Sequence, residues 1–98
     1  MQYVVVDYND NVIKPQFALH PGAIIDMELE ERGLKKKFFA EQLQISPSQL
    51  SDLLHEKRHI SANLAIKLER LLGIDAEYWM RVQSAYDIAM ARLQLATA

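Results

Sequence analysis

Between Lys36 and Arg58 the chain carries side chains suited to gripping a polyanion and reading what lies beside it. Lys36 and Lys37 stand at one end, Lys57 and Arg58 at the other. Ser46, Ser48, Gln49, Ser51, Asp52 and His55 fall between them, interleaved with Leu50, Leu53 and Leu54. On a helix, leucines three and four apart turn inward and leave the polar residues on the outer face. Short hydroxyls and amides there can exchange hydrogen bonds with base edges in a DNA major groove, Gln pairing best with adenine N6 and N7. Cations on either side would hold phosphates and fix the register. The expected base-reading set is therefore Ser48, Gln49, Ser51, Asp52 and His55, and the expected phosphate-binding set is Lys36, Lys37, Ser46, Lys57 and Arg58.

Two short helices must position that face. Phe39, Ala40 and Leu43 give the first an inner side, and Ala40 is small enough for a second helix to cross closely. Ile45 covers the turn. Ser46-Pro47-Ser48-Gln49 then reads as a helix start: Ser46 as cap, Pro47 at the first helical position, Gln49 placed to complete a capping box. Leucines at these spacings occur in any small bundle; the capping box, Ala40 and the polar outer face together are more specific to a helix-turn-helix.

The flanking chain supplies the rest of a core. His20-Pro21-Gly22 leads into a helix with Ile25 and Leu29 facing inward beside Ile24 and Met27, ended by Gly33. Its carboxylates, Asp26, Glu28, Glu30 and Glu31, face water or a basic partner. Ser61 starts a helix carrying Leu64, Leu68, Leu71 and Leu72 and ended by Gly73 with Ile74. Asp75 is expected to cap a longer last helix with Trp79, Val82, Tyr86, Ala89 and Leu93 along one face; Ile88 to Leu93 could serve a contact between subunits. Near the start, Tyr3 to Tyr8 is β-branched and aromatic and precedes an Asn-Asp-Asn turn signal, so a short strand or hairpin is expected there. The expected organisation is all-α: a strand or arm over 1–18, then one domain over 19–94 with helices at about 22–32, 36–43, 47–56, 62–72 and 76–94.

Composition limits the alternatives. Ninety-eight residues, half of them hydrophobic, allow one domain with one core. Without cysteine there is no disulfide, thiolate metal site or cysteine nucleophile. The net charge of −2 is unevenly spread. Residues 1–34 set Lys14 and Arg32 against six carboxylates, whereas residues 35–58 set five cations against Glu41, Asp52 and Glu56. Local potential governs association with a polyanion. The first ten residues lack a signal-peptide pattern and no apolar run approaches a membrane span, so a cytoplasmic location is expected.

His55-Glu56-Lys57-Arg58-His59 matches the H-E-x-x-H zinc signature, but its middle residues are cations, the helix should end near Glu56, and no third ligand is signposted. His20 reads as a helix-start or packing residue. No catalytic set, metal or cofactor is expected.

Taken in order, His20-Pro21-Gly22, Ala40-Glu41-Gln42-Leu43, Lys57-Arg58 with Ile60-Ser61-Ala62, Leu71-Leu72-Gly73, and Tyr78-Trp79 with Gln83-Ser84-Ala85-Tyr86-Asp87 resemble the HigA (VapI) antitoxins, within the phage-repressor-like helix-turn-helix class. The resemblance spans Leu19 to about Leu93. It implies a five-helix domain and a homodimer that binds a palindromic operator in its own promoter. It also implies neutralisation of a HigB-like toxin, an mRNA-cleaving ribonuclease of the RelE-like class. The chain departs from the family at Lys35, where a Ser or Thr cap is usual, at Gln44, where the turn usually holds Gly, and at Phe38, commonly polar. Gln44 would then have to adopt a positive φ. Two other readings fit the same residues: a helix-turn-helix regulator without a toxin partner, and a protein-interaction module that no longer binds DNA, for which Asp52 among phosphates is the argument.

Overall fold

The computed structural model describes residues 18–97 and the backbone of 5–6 and 12–13. Five helices make up the architecture: α1 (Pro21–Arg32), α2 (Lys36–Leu43), α3 (Pro47–Leu54), α4 (Ala62–Leu72) and α5 (Ala76–Thr97). The expected N-terminal strand or hairpin falls on a segment of which only Val5–Val6 and Val12–Ile13 are described, as an antiparallel pairing two residues long. That pairing does not establish a strand as part of the fold, and the rest of the segment lies outside the described residues.

Local chemistry fixes each helix end. At α1 the His20 ring caps, its Nδ1 accepting the Gly22 N–H at 2.9 Å, and Pro21 follows without a donor to lose. His20 is buried, with its ring edge-on to Tyr86 at 4.9 Å between centroids. Gly33, at φ 66°, closes α1: its own N–H bonds Glu30 O and the Leu34 N–H bonds Leu29 O. The same closure ends α2, where Gln44 N–H reaches Glu41 O and Ile45 N–H reaches Ala40 O. Here the left-handed residue is Gln44, at φ 61°, so the positive φ expected from the family resemblance is present on a residue with a Cβ. Exchanging Gln44→Gly should stabilise the fold by roughly 1 kcal/mol, relief of the αL strain outweighing the extra freedom of the unfolded chain. A thermal melt should rise by about 4–8 °C for each kcal/mol in a domain of this size; an unchanged or lower midpoint would mean that the Gln44 side chain earns its place by some other contact.

α3 stops at Leu54, two residues before the expected end. The reason is a third closure of the same kind: Glu56 turns left-handed at φ 64°, its N–H bonding Leu53 O at 3.1 Å while Lys57 N–H bonds Asp52 O at 2.8 Å. α4 is capped by Ser61 Oγ on Leu64 N–H and ended by Gly73, whose N–H bonds Glu69 O. The carboxylate at the start of α5 is not that of Asp75, as expected, but one borrowed from α4, Glu69 Oε1 accepting the Ala76 N–H at 2.7 Å, while Asp75 contributes its backbone carbonyl to Tyr78 and Trp79. It runs three residues past the expected end, to Thr97, which bonds back to Leu93 O.

The core is continuous across the helices. Ile25 and Leu29 of α1, Phe39, Ala40 and Leu43 of α2, Leu50 and Leu53 of α3, Leu64, Ala65, Leu68 and Leu72 of α4, and Trp79 of α5 are all buried. α4 lies along α5, α1 packs on α3 and α5, and α2 contacts α3 and α4. Long polar side chains tie the helix ends together: Arg32 Nη2 donates to Leu72 O at 2.8 Å, and Lys67 Nζ to Leu43 O at 3.2 Å. Three apolar residues sit differently from expectation. Met27 is 54% exposed, because two residues past Ile25 is about 200° around the helix. Leu71 is only partly covered. Leu93 is buried within the chain's own fold, leaving Ile88 as the exposed large hydrophobic residue of that stretch. Among the described residues no helix is long and apolar enough to cross a membrane.

Candidate nucleic-acid interface

α3 divides its side chains sharply. Leu50 and Leu53 are within 1% of full burial and Leu54 is half-covered, while Ser48, Gln49, Ser51, Asp52 and His55 are all exposed. With 3.6 residues per turn, Ser48, Ser51, Asp52 and His55 share one face. Four of the five predicted base-reading residues thus lie along one side of α3 and its C-cap residue His55, and Gln49, 100° around the helix from Ser48, lies beside that face.

Its start is held by the reciprocal bonds expected from the sequence: Gln49 N–H to Ser46 Oγ at 3.0 Å, and Ser46 N–H to Gln49 Oε1 at 2.9 Å. Two consequences follow for the predicted roles. Pro47 has no N–H, and Leu50 N–H already bonds Ser46 O, so this helix start offers an anion less than a bare N-terminus would. Gln49 Oε1 is also committed, so reading adenine through both ends of the amide requires that the cap be shared or released. Gln49→Ala should therefore do two things at once. It should lower stability by roughly 0.5–1 kcal/mol through loss of half the capping box, and relax base preference at one position of each half-site. A melt paired with a base-substitution binding series separates the two, and a variant that melts lower yet keeps every base preference would confine Gln49 to the cap.

At the other end His55 follows the last helical residue. Its Nδ1 lies 2.7 Å from Ser51 O, which also accepts the His55 N–H at 2.9 Å, and 3.4 Å from Ser51 Oγ, so the ring folds back onto its own helix. His59 goes elsewhere: its Nδ1 takes a hydrogen bond from Gln83 Nε2 at 2.9 Å and lies 3.3 Å from Asp87 Oδ1. The two imidazoles of the zinc-like signature are therefore separated by a left-handed turn and serve different partners.

The cations frame α3. Lys36 and Lys37 open α2 and are exposed; Lys57 is exposed just beyond α3 and Arg58 half-buried beside it. Lys36 meets α3 directly, since it lines a cavity of about 60 Å³ together with Pro47, Leu50, Ser51, Leu54 and His55. Phe38, at the usually polar position, is 51% exposed.

Two residues that brace this surface stood in the sequence only as family-motif residues, with no role read for them. Gln83 is 4% exposed; its Oε1 accepts the Ile60 N–H at 2.7 Å and its Nε2 donates to His59 and Asp87, so α5 holds the loop that follows α3. The signal was a lone amide four residues after Trp79 and three before Tyr86, on a face otherwise apolar. Gly22 is the other: a Cβ placed on it would lie 1.9 Å from Leu53 O, so α1 touches the backbone of α3 there.

Comparison with known proteins agrees with this geometry. The helix-turn-helix family HTH_3 matches residues 25–79. Virulence-associated protein I of Dichelobacter nodosus is 41% identical over 75 residues, 76% of this chain and 69% of its own length. Among solved structures, the Pseudomonas aeruginosa antitoxin HigA with higBA promoter superposes at a TM-score of 0.75 with 35% identity, covering 81% of this chain and 87% of that one. A second Pseudomonas aeruginosa protein, solved with its 18-bp operator DNA, reaches 0.69 at 36% identity over 76% and 81%.

Proposed function

The chain belongs to the helix-turn-helix family, and from that premise we propose that it is the DNA-binding antitoxin of a type II toxin–antitoxin module. In this reading it acts in the cytoplasm as a homodimer, represses its own operon, and neutralises a HigB-like, mRNA-cleaving toxin of the RelE-like class. The observation that carries the reading is α3: capped at Ser46, anchored by Leu50 and Leu53, with Ser48, Ser51, Asp52 and His55 along its open side and Lys36, Lys37, Lys57 and Arg58 about it. Two similar proteins have been solved with promoter or operator DNA, one of them a HigA antitoxin, which supports both halves of the assignment.

Mechanistically, a two-fold dimer would set two α3 helices in successive major grooves roughly 34 Å apart, so the operator would be a palindrome with half-sites one turn apart. Ser48, Ser51 and His55 would meet base edges, and Asp52 would accept from a cytosine N4 or adenine N6 amino group, which gives its charge a role other than repelling phosphate. Lys36 and Lys37 on one flank and Lys57 and Arg58 on the other would take phosphates, with Ser46 Oγ as a neutral contact.

Footprinting on the DNA upstream of its own reading frame tests the repressor half: two protected half-sites with centres one turn apart are expected, and uniform or absent protection would refute it. The toxin half is tested by co-expression with the adjacent small reading frame. Co-purification with relief of growth arrest is expected; a neighbour that is harmless alone and does not co-purify would leave a regulator without a toxin partner as the better reading.

A further inference from the structure

The cavity between α2 and α3 has a composition that the general account of base reading does not explain. Its floor is hydrocarbon, from the buried Leu50 and the half-covered Leu54, and its rim is made by the exposed Lys36, Pro47, Ser51 and His55, polar except for the proline ring. The rim is held in place, since His55 Nδ1 and Ser51 O are 2.7 Å apart and Leu50 beneath them is 1% exposed. Its volume, about 60 Å³, exceeds what one water needs and is far below what an aromatic ring requires. Water seated there would face three apolar walls and lose little on leaving.

Where the cavity opens decides what could fill it. On one side stands Lys36, the first residue of α2; on the other runs the row Pro47, Ser51, His55 along the open face of α3. If Lys36 holds a phosphate and that row follows base edges, the cavity faces the strip of major groove between a strand's backbone and the edge of its base. In B-DNA one standard base presents an apolar group to that groove, the C5-methyl of thymine, and C5 is the part of the pyrimidine edge nearest its own sugar-phosphate strand.

We infer that this cavity is a pocket for a thymine C5-methyl group, so that the operator carries one required thymine in each half-site, read by shape and burial. The inference rests on the DNA-reading role proposed above and deepens it. Pro47, Leu50 and Leu54 supply the contact, while Ser51 and His55 keep the mouth from closing. None of these hydrocarbon residues belongs to the polar set that a search for base-reading side chains would choose.

The test changes the DNA. Each thymine of the footprinted operator is replaced singly by deoxyuridine, which removes the methyl and keeps every hydrogen-bonding group, and binding is measured at constant salt. One position per half-site should weaken by about fourfold, the burial of one methyl at ~0.8 kcal/mol converted at 1.4 kcal/mol per tenfold. Other thymines should change by far less. Specific binding that tolerates deoxyuridine everywhere would overturn the pocket while leaving the DNA-reading role intact; absence of specific binding would overturn both. On the protein side, Ser51→Leu fills the mouth from an exposed position and Leu54→Ala removes part of the floor. Each should bring the thymine-to-uracil ratio at the sensitive position to about one, and a folded variant of either kind that keeps the fourfold ratio would also overturn the assignment.

Discussion

Replacing Gly22 with alanine should destabilise the domain by about 3 kcal/mol or more, enough to lower its melting midpoint by roughly 12–24 °C or to abolish cooperative folding at 37 °C. The added Cβ would lie 1.9 Å from Leu53 O and 2.9 Å from Leu53 C, and neither atom can rotate aside as a side-chain end could. It would also press to 3.1 Å on His20 Nδ1, the atom that caps α1. Relief requires α1 to move off α3, which unpacks Ile25 and Leu29 from Leu50 and Leu53 and disturbs the helix that carries the reading face. Gly33 provides the internal comparison. Its Cβ would meet nothing within 4 Å, so Gly33→Ala should cost only the strain of a left-handed residue, roughly 1 kcal/mol. Urea melts of the two variants check the ordering, and equal losses would contradict the close approach at Gly22.

Removing Lys36, Lys37, Lys57 and Arg58 together should have the largest effect on DNA binding. In a dimer the four positions amount to about eight phosphate contacts; at about 0.9 per phosphate, the slope of log K against log salt should flatten by roughly 7, and binding at low salt should fall by orders of magnitude. The loss should be the same on operator and random DNA, since phosphate contacts carry register and not sequence. Three of the four side chains are exposed and the Lys57 N–H bond to Asp52 O is a backbone contact that alanine keeps, so the fold should survive. Arg58 is half-buried, and a melt of the single Arg58→Ala variant separates lost packing from lost charge. An unchanged salt slope in a folded quadruple variant would remove these residues from the interface.

How far the sequence carried depends on whether a feature is local. The Ser46–Gln49 box and the Gly33 and Gly73 ends are each decided within a few residues, and each was legible, whereas the positive φ at Gln44 was expected only from the family resemblance, whose turn usually holds Gly. The end of α3 was not legible, because the left-handed residue there is Glu56, which carries no glycine signal, and what fixes it is a bond from Lys57 N–H back to Asp52 O. Gly22, Gln83 and the Lys67 bond to Leu43 O join segments far apart in the chain, so their spacing says little about them. The candidate site shows the same division. The open face of α3 follows from leucine spacing, whereas the cavity beside it exists only because α2 places Lys36 against Pro47, Ser51 and His55.

Whether α3 reads a specific sequence is decided by titrating the wild-type protein against two duplexes of equal length at one salt concentration. One is the DNA upstream of its own reading frame and the other its scrambled counterpart. Binding to the first should be at least about a thousandfold tighter. Equal affinities, both in the range of roughly 10⁻⁴ to 10⁻⁶ M typical of non-specific binding, would contradict it.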